Sequence, residues 1–270
     1  MLARIEERSA LGIICLRERR GAIWEHLPKT EKKREKNLMR LILVRHGVTL
    51  WNETHKFQGF SDIELSSKGR SQAQSLAKSL KREALAAIYT SPLIRARETA
   101  KQIACYHDCP VIVDEGLREL NQGQLEGLTI EDLRKGYPEF LKNWIQEPEL
   151  TQLPQGESLG ELQHRAWASI ERIIGKYPEG TVVVVAHSFV NLTILCRILE
   201  IPLNHFRRFR QDATGRNIIE FSERGAVVCC LNDTCHLAAN AERRKQGNFK
   251  RRDEKRGERG GIWQKGEKIR

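Results

Sequence analysis

Two runs of apolar residues constrain this chain more than anything else in it. Thr181-Val182-Val183-Val184-Val185-Ala186 is β-branched through its centre, and Leu41-Ile42-Leu43-Val44 is apolar without a break. Both are too short for a buried helix, and an unbroken apolar run of this length is the pattern of a buried strand. Helical patterns lie between and after them. Ser66 or Ser67 caps a helix running to about Arg82, with Ala73, Leu76, Ala77 and Leu80 at helical spacing. A short strand over 86–89 ends at Thr90-Ser91-Pro92, and Pro92 suits the first turn of a helix reaching Ala104. A strand over 111–113 follows, then helices over 129–134, 139–145 and 158–176, and another over 190–199 after the valine run. Residues 218–221 and 226–231 read as a closing hairpin around Ser222-Glu223-Arg224-Gly225. Strands alternating with helices predict an α/β fold, a three-layer α/β/α sandwich with a mostly parallel central sheet.

The charge is unevenly spread. The 270 residues carry 46 Lys and Arg against 35 Asp and Glu, a formal +11. Residues 1–38 hold 10 basic and 6 acidic groups, and residues 240–270 hold 12 and 5. The segment between them balances at 24 of each, so the excess belongs to the two ends. Three segments follow: a charged N-terminal extension over 1–38, one domain over 39–239, and a basic tail over 240–270 with too few large apolar residues for a core. The two methionines are Met1 and Met39, and the second stands directly before the first strand, which suggests a biological start there. The tail has two readings, a solvated segment or a basic arm for RNA or DNA. Seven cysteines at scattered spacing include no CxxC pair, which argues against zinc and redox chemistry and for free thiols in a reducing cytoplasm. The apolar run from Leu11 to Leu16 is short for a secretory signal, and nothing approaches the roughly 20 apolar residues of a membrane span. The expectation is a soluble cytoplasmic protein without membrane contact.

In open α/β sheets, ligands bind at the carboxyl ends of strands. Both apolar runs end on a histidine, in Val44-Arg45-His46-Gly47 and Val185-Ala186-His187-Ser188. One such histidine is commonly a structural hydrogen-bonder. Two, one of them preceded by arginine, point to a site.

The surrounding residues resemble the histidine phosphatase superfamily, also called the phosphoglycerate mutase-like family. The resemblance begins at Leu43-Val44-Arg45-His46-Gly47-Val48-Thr49-Leu50-Trp51-Asn52 and continues through Gln58-Gly59-Phe60-Ser61-Asp62 to Gly69. It resumes at Ser91-Pro92-Leu93-Ile94-Arg95-Ala96-Arg97-Glu98-Thr99-Ala100, at Leu117-Arg118-Glu119-Leu120 through Gly127, and at Val184-Val185-Ala186-His187-Ser188. Five blocks in order over about 200 residues are specific where a lone RHG is not.

The resemblance implies a phosphoglycerate mutase-like fold and a phosphomonoester hydrolase working through a phosphohistidine, without metal or cofactor. It makes His46 the nucleophile, Glu119 the acid that protonates the leaving oxygen and then activates water, and His187 a donor to the transferred group. Arg45, Arg95 and Asn52 become the substrate-binding residues that hold phosphate oxygens. Glu126 is read as a loop stabiliser, and Arg97 as structural because on a helix it points about 200° around from Arg95. Trp51 and Trp144 are candidates for the pocket wall or the core.

Mutases of this superfamily carry arginines between the acid and the second histidine to hold a second anionic group. No such pair is evident between Glu119 and His187, so hydrolysis is favoured and phosphoglycerate mutase is the alternative. The substrate expected is a small phosphorylated metabolite of the sugar phosphate, nucleotide or α-ribazole 5′-phosphate type. Two departures from the family pattern, Leu125 where many phosphatases have tryptophan and Ser188-Phe189 where glycine is common, fall at the pocket rim and bear on the leaving group. Oligomeric state is not legible in these residues.

Overall fold

The computed structural model describes residues 38–238, so the expectations for the N-terminal extension and the basic tail lie outside the described residues. The first apolar run forms β1 (Met39–Arg45) and the valine run forms β4 (Gly180–Ala186). With β2 (Leu85–Thr90), β3 (Val111–Val113), β5 (Arg216–Ser222) and β6 (Gly225–Asp233) they make one six-stranded sheet in the order β3-β2-β4-β1-β5-β6. The four strands from β3 to β1 are parallel, and the hairpin β5–β6 runs antiparallel beside β1.

Side chains alternate across a strand, and here both faces are apolar. Leu41, Leu43, Val182 and Val184 face one core; Ile42, Val44, Val183 and Val185 face the other. The second core is closed by α2 (Ser67–Leu80) and α3 (Ile94–Ala104) through Leu76, Leu80, Ala96, Ala100 and Ile103. The first is closed by α6 (Leu159–Lys176) and α7 (Ser188–Ile198) through Leu159, Leu162, Ala166, Ile170, Ile173, Val190 and Ile194. The result is the three-layer α/β/α sandwich expected, and both central strands are covered on both sides.

Several boundaries follow from local chemistry. Ser66 caps α2 through the Gly69 N–H, and Ser158 caps α6 in a reciprocal box with Glu161. Gly69 is required there by contact, since a Cβ on it would lie 2.0 Å from the Val48 carbonyl oxygen. Pro92 falls outside α3, which starts at Ile94 after an extended Leu93. The Ile94 N–H is instead taken by the Asp62 side chain from a distant loop, a partner no local signal announces. One further helix, α1 (Leu50–Glu53), has no apolar periodicity to reveal it and is set by a Thr49–Asn52 capping box. Two helices, α4 (Ile130–Gly136) and α5 (Pro138–Gln146), follow the segment bearing Glu119.

Candidate active site

Strands β1 and β4 are neighbours in parallel register, with Arg45 opposite Ala186. The residues that follow them, His46 and His187, therefore emerge side by side at the carboxyl edge of the sheet. Their ring centroids are 5.1 Å apart and both rings are buried. His46 Nδ1 lies 2.6 Å from the Gly47 carbonyl oxygen, and since a carbonyl only accepts, Nδ1 carries the proton. A neutral ring then presents Nε2 with a lone pair. Burial, followed by the charges of Arg95 and Arg45, holds the His46 pKa well below the ordinary histidine value, so the ring stays neutral at physiological pH. His187 is depressed well below that value for the same reasons, burial first and then Arg95.

The second ring is oriented by a residue that the sequence alone did not single out. Ser91, fully buried at the end of β2, places Oγ 2.7 Å from His187 Nε2 and accepts the Leu93 N–H at 3.3 Å. With the hydroxyl proton turned toward Nε2, the proton of His187 sits on Nδ1, which is buried and without a protein partner. The structure thus leaves one imidazole lone pair and one imidazole N–H free at the same place.

Both arginines stand beside them. Arg95 is fully buried on the first turn of α3 and donates to the Ser61 and Gly59 carbonyls at 2.7 and 2.8 Å. Arg45 donates to the Gln211 carbonyl at 2.6 Å. Of the five N–H donors of a guanidinium, these bonds use two and one, and the Nε atoms of both are buried without a partner. Burial lowers the pKa of Arg45, and it lowers that of Arg95 to about 10, still leaving it cationic at neutral pH. Anchored by backbone carbonyls, the two forks carry spare donors suited to the oxygens of a phosphoryl group.

Glu119 is buried close to both arginines. Its Oε1 accepts the Leu120 N–H at 2.9 Å and its Oε2 the Phe189 N–H at 3.4 Å. Burial raises its pKa in spite of those bonds and of the charges of Arg95 and Arg45. Asn52 is half-buried, and its Oδ1 accepts the Thr49 N–H at 3.0 Å, so the residue closes the α1 cap. The capping role and a ligand role are compatible, because the cap uses Oδ1 and leaves the amide N–H₂ as donor.

The residues read as structural are so placed. Glu126 accepts the N–H groups of Phe60 and Ser61 and the Ser61 hydroxyl, holding the loop whose carbonyls anchor Arg95. Arg97 points to solvent. Arg165 on α6 donates to the carbonyls of Gly116, Arg118 and Glu119 at 2.7–2.8 Å and pairs with Glu157. It fixes the backbone that carries the carboxyl group. Among the described residues, no group of three or more His, Cys, Asp and Glu side chains is gathered closely enough to hold a metal ion.

This site sits within a sequence that matches a family model over residues 41–234, described as the histidine phosphatase superfamily, branch 1. The chain belongs to the histidine phosphatase superfamily. It is 36% identical over 200 residues to phosphoserine phosphatase 1 of Hydrogenobacter thermophilus, covering 74% of this chain and 95% of that protein. It is 33% identical over 206 residues to a probable phosphoglycerate mutase, GpmB, of Yersinia enterocolitica, with the same coverage. The solved structure of Bacillus stearothermophilus YhfR superposes with a TM-score of 0.70 at 34% identity, over 73% of this chain and 98% of that one. The general chemistry of this histidine phosphatase is phosphomonoester hydrolysis through a phosphohistidine. No helix among the described residues is long and apolar enough to cross a membrane.

The histidine phosphatase also has an apolar cavity of about 250 Å³, lined by none of His46, Arg45, Asn52, Arg95, Glu119 and His187. Leu125 and Phe189, the two departures from the family pattern, both line it, as does Trp144. The cation lining it is Arg207, from the segment after His187 and outside the interval between Glu119 and His187. Within that interval Arg134, Arg165 and Arg172 are paired with Glu131, Glu157 and Asp114.

Proposed function

We propose that this chain is a phosphatase for a small phosphorylated metabolite, with His46 as nucleophile. The observation that carries the reading is the His46 ring, neutral, fixed in one tautomer by Gly47 and surrounded by buried cations. Nε2 attacks phosphorus and displaces the leaving oxygen, forming an N–P bond as the P–O bond breaks. Arg45, Arg95, the Asn52 amide and the Nδ1–H of His187 bind the equatorial oxygens, where negative charge accumulates. Glu119, whose pKa burial raises, gives a proton to the departing oxygen. As a carboxylate it then takes a proton from water, which attacks the phosphohistidine and returns the ring to its neutral state. Fixed cations and imidazoles supply the charge stabilisation that a metal supplies elsewhere.

The similarity to a probable phosphoglycerate mutase supports a second reading. A mutase must retain its phosphoryl group against water while the substrate turns over in the site, which calls for a second cluster of cations. The three arginines between Glu119 and His187 are paired with carboxylates, which favours hydrolysis. We assign the protein to the cytoplasm, in keeping with the six free cysteines among the described residues.

The test is a panel of phosphomonoesters, including 3-phosphoglycerate, assayed in EDTA with wild type and His46→Ala. Phosphate release that survives EDTA and vanishes in the variant is expected. Interconversion of 2- and 3-phosphoglycerate without net phosphate release would establish the mutase instead. Activity retained by His46→Ala would overturn the mechanism.

A further inference from the structure

The tautomer of His46 depends on one backbone carbonyl, and that carbonyl is itself held from outside the strand. The Gly47 oxygen takes the Nδ1 proton of His46 at 2.6 Å. A histidine ring free in water favours the proton on Nε2, so a lone pair at Nε2 depends on that carbonyl staying where it is. β1 ends at Arg45. The peptide planes on either side of Gly47 therefore lie beyond the strand and need other partners.

Helices α2 and α3 provide them. On the N-terminal side, the Gly47 N–H donates to Thr99 Oγ1 at 3.1 Å, and that hydroxyl gives its own proton to the Arg95 carbonyl at 2.8 Å. On the C-terminal side, the plane that carries the Gly47 carbonyl also carries the Val48 N–H, which donates to Gln72 Oε1 at 3.0 Å. The Ser66 N–H, at the cap of α2, closes on the Val48 carbonyl at 2.9 Å. The backbones touch as well, since a Cβ on Gly47 would lie 2.5 Å from the Gly69 carbonyl oxygen. Thr99 is fully buried and Gln72 half-buried. A peptide plane is rigid and its N–H and C=O point in opposite directions, so holding one aims the other. Without Gln72 Oε1 the Val48 N–H is left unpaired, and a plane that turns to find another acceptor carries the Gly47 carbonyl away from Nδ1.

We propose that Gln72 and Thr99 are positioning residues, which brace the two peptide planes around Gly47 and thereby hold His46 in the tautomer that attacks phosphorus. Both act through the backbone of Gly47. The proposal rests on the phosphatase reading above, in which His46 is the nucleophile.

The ring and the reaction are read separately. Protein labelled with nitrogen-15 in its histidine rings is compared by long-range proton–nitrogen correlation for wild type, Gln72→Met, Gln72→Glu, Thr99→Val and Thr99→Ser, with His46→Ala identifying the His46 signals. A ring nitrogen without a proton resonates well downfield of one that carries it. Wild type should show Nε2 of His46 downfield and Nδ1 upfield. In Gln72→Met and Thr99→Val the two shifts should converge as the second tautomer is populated. With enzyme in excess, the first-turnover release of nitrophenol from 4-nitrophenyl phosphate should slow about 10–100-fold in these two variants, the usual cost of a misaimed reacting group. Inhibition by inorganic phosphate should stay within about twofold of wild type, because Arg45 and Arg95 keep their own carbonyl anchors. Gln72→Glu and Thr99→Ser retain an acceptor and should recover most of the rate and the wild-type ring shifts. Thr99→Val, which keeps the branched shape of the side chain, carries the test should Gln72→Met fail to fold. Wild-type shifts of the His46 ring in both acceptor-free variants would overturn the proposal, and so would equal losses in Gln72→Met and Gln72→Glu. A wild type that releases no nitrophenol would overturn the phosphatase reading instead, while the ring spectra still decide whether the brace sets the tautomer.

Discussion

A buried carboxyl next to two arginines is pulled in opposite directions. Burial pushes the pKa of Glu119 up, while Arg95 and Arg45 and two backbone N–H groups push it down; the upward effect prevails. A protonated carboxyl matters most when the leaving oxygen is strongly basic, and least for a good leaving group. Glu119→Gln should therefore slow hydrolysis of an alkyl phosphate by about 10²–10⁴-fold. With 4-nitrophenyl phosphate it should give a burst of nearly one nitrophenol per chain followed by slow turnover, because phosphorylation of His46 proceeds while activation of water fails. Stopped-flow absorbance decides this, and absence of a burst would argue that Glu119 does not serve the second step. The residues proposed to hold the phosphoryl group were legible in the sequence because the RHG and Arg95 blocks keep their order and type. Ser91 was not, since a serine carries no local signature and its meaning comes from His187, a partner brought by another element.

At the scale of elements, the acid-bearing segment is unusual in having little regular structure of its own. Glu119 lies between two short 3₁₀ turns, Glu115–Leu117 and Gly123–Leu125. Arg165 supplies the missing rigidity, taking three carbonyls from that segment, while Glu157 binds both Arg165 and the Asn121 N–H. Removing it leaves a partly buried Glu157 without its cation and three carbonyls without donors. Arg165→Ala is expected to cost about 2–3 kcal/mol of stability, read from urea unfolding. It should lower kcat about 10–100-fold with a smaller change in KM, since Arg45 and Arg95, the arginines proposed to bind phosphate, stand on other elements. Arg165→Lys should restore little, because a single ammonium cannot replace the fork. A parallel loss in Lys and Ala variants confined to KM would contradict this positioning role. In the sequence, α6 was found from its apolar period and its Ser158 cap, but that period says nothing about the polar face that reaches toward the acid.

The molecule as a whole also responds to pH through histidines away from the chemistry. His236 follows β6 and is buried, with Nε2 against the Thr214 hydroxyl; the Thr214 N–H in turn donates to the carbonyls of Arg45 and His46. Burial, with a smaller effect of Arg216, lowers its pKa to about 4. An unfolded histidine takes up a proton near pH 6.5. The stability gained by keeping this ring neutral is complete above that value and is lost as pH falls toward 4. Urea midpoints between pH 7 and 4.5 should therefore drop further in wild type than in His236→Gln. Equal slopes would show that His236 is not among the groups responsible. The fold class, the strand order's parallel core and both covered faces followed from two apolar runs and the alternation around them. Docking of residues after β6 against the backbone of the catalytic strand had no such signal.

Strand β4 is fourth in the chain yet sits between β1 and β2 in the sheet. Until residue 186 has been made, the two earlier strands have no common neighbour, and their apolar edges stay open to water and to other chains. The interactions that complete the sheet are separated by most of the domain's length, a topology that folds slowly. The same insertion brings His187 beside His46, so in a refolding experiment the ability to form phosphohistidine cannot precede closure of the sheet. A chain that ends before β4 lacks His187, and phosphatase activity can serve as a clock for the last long-range step of folding.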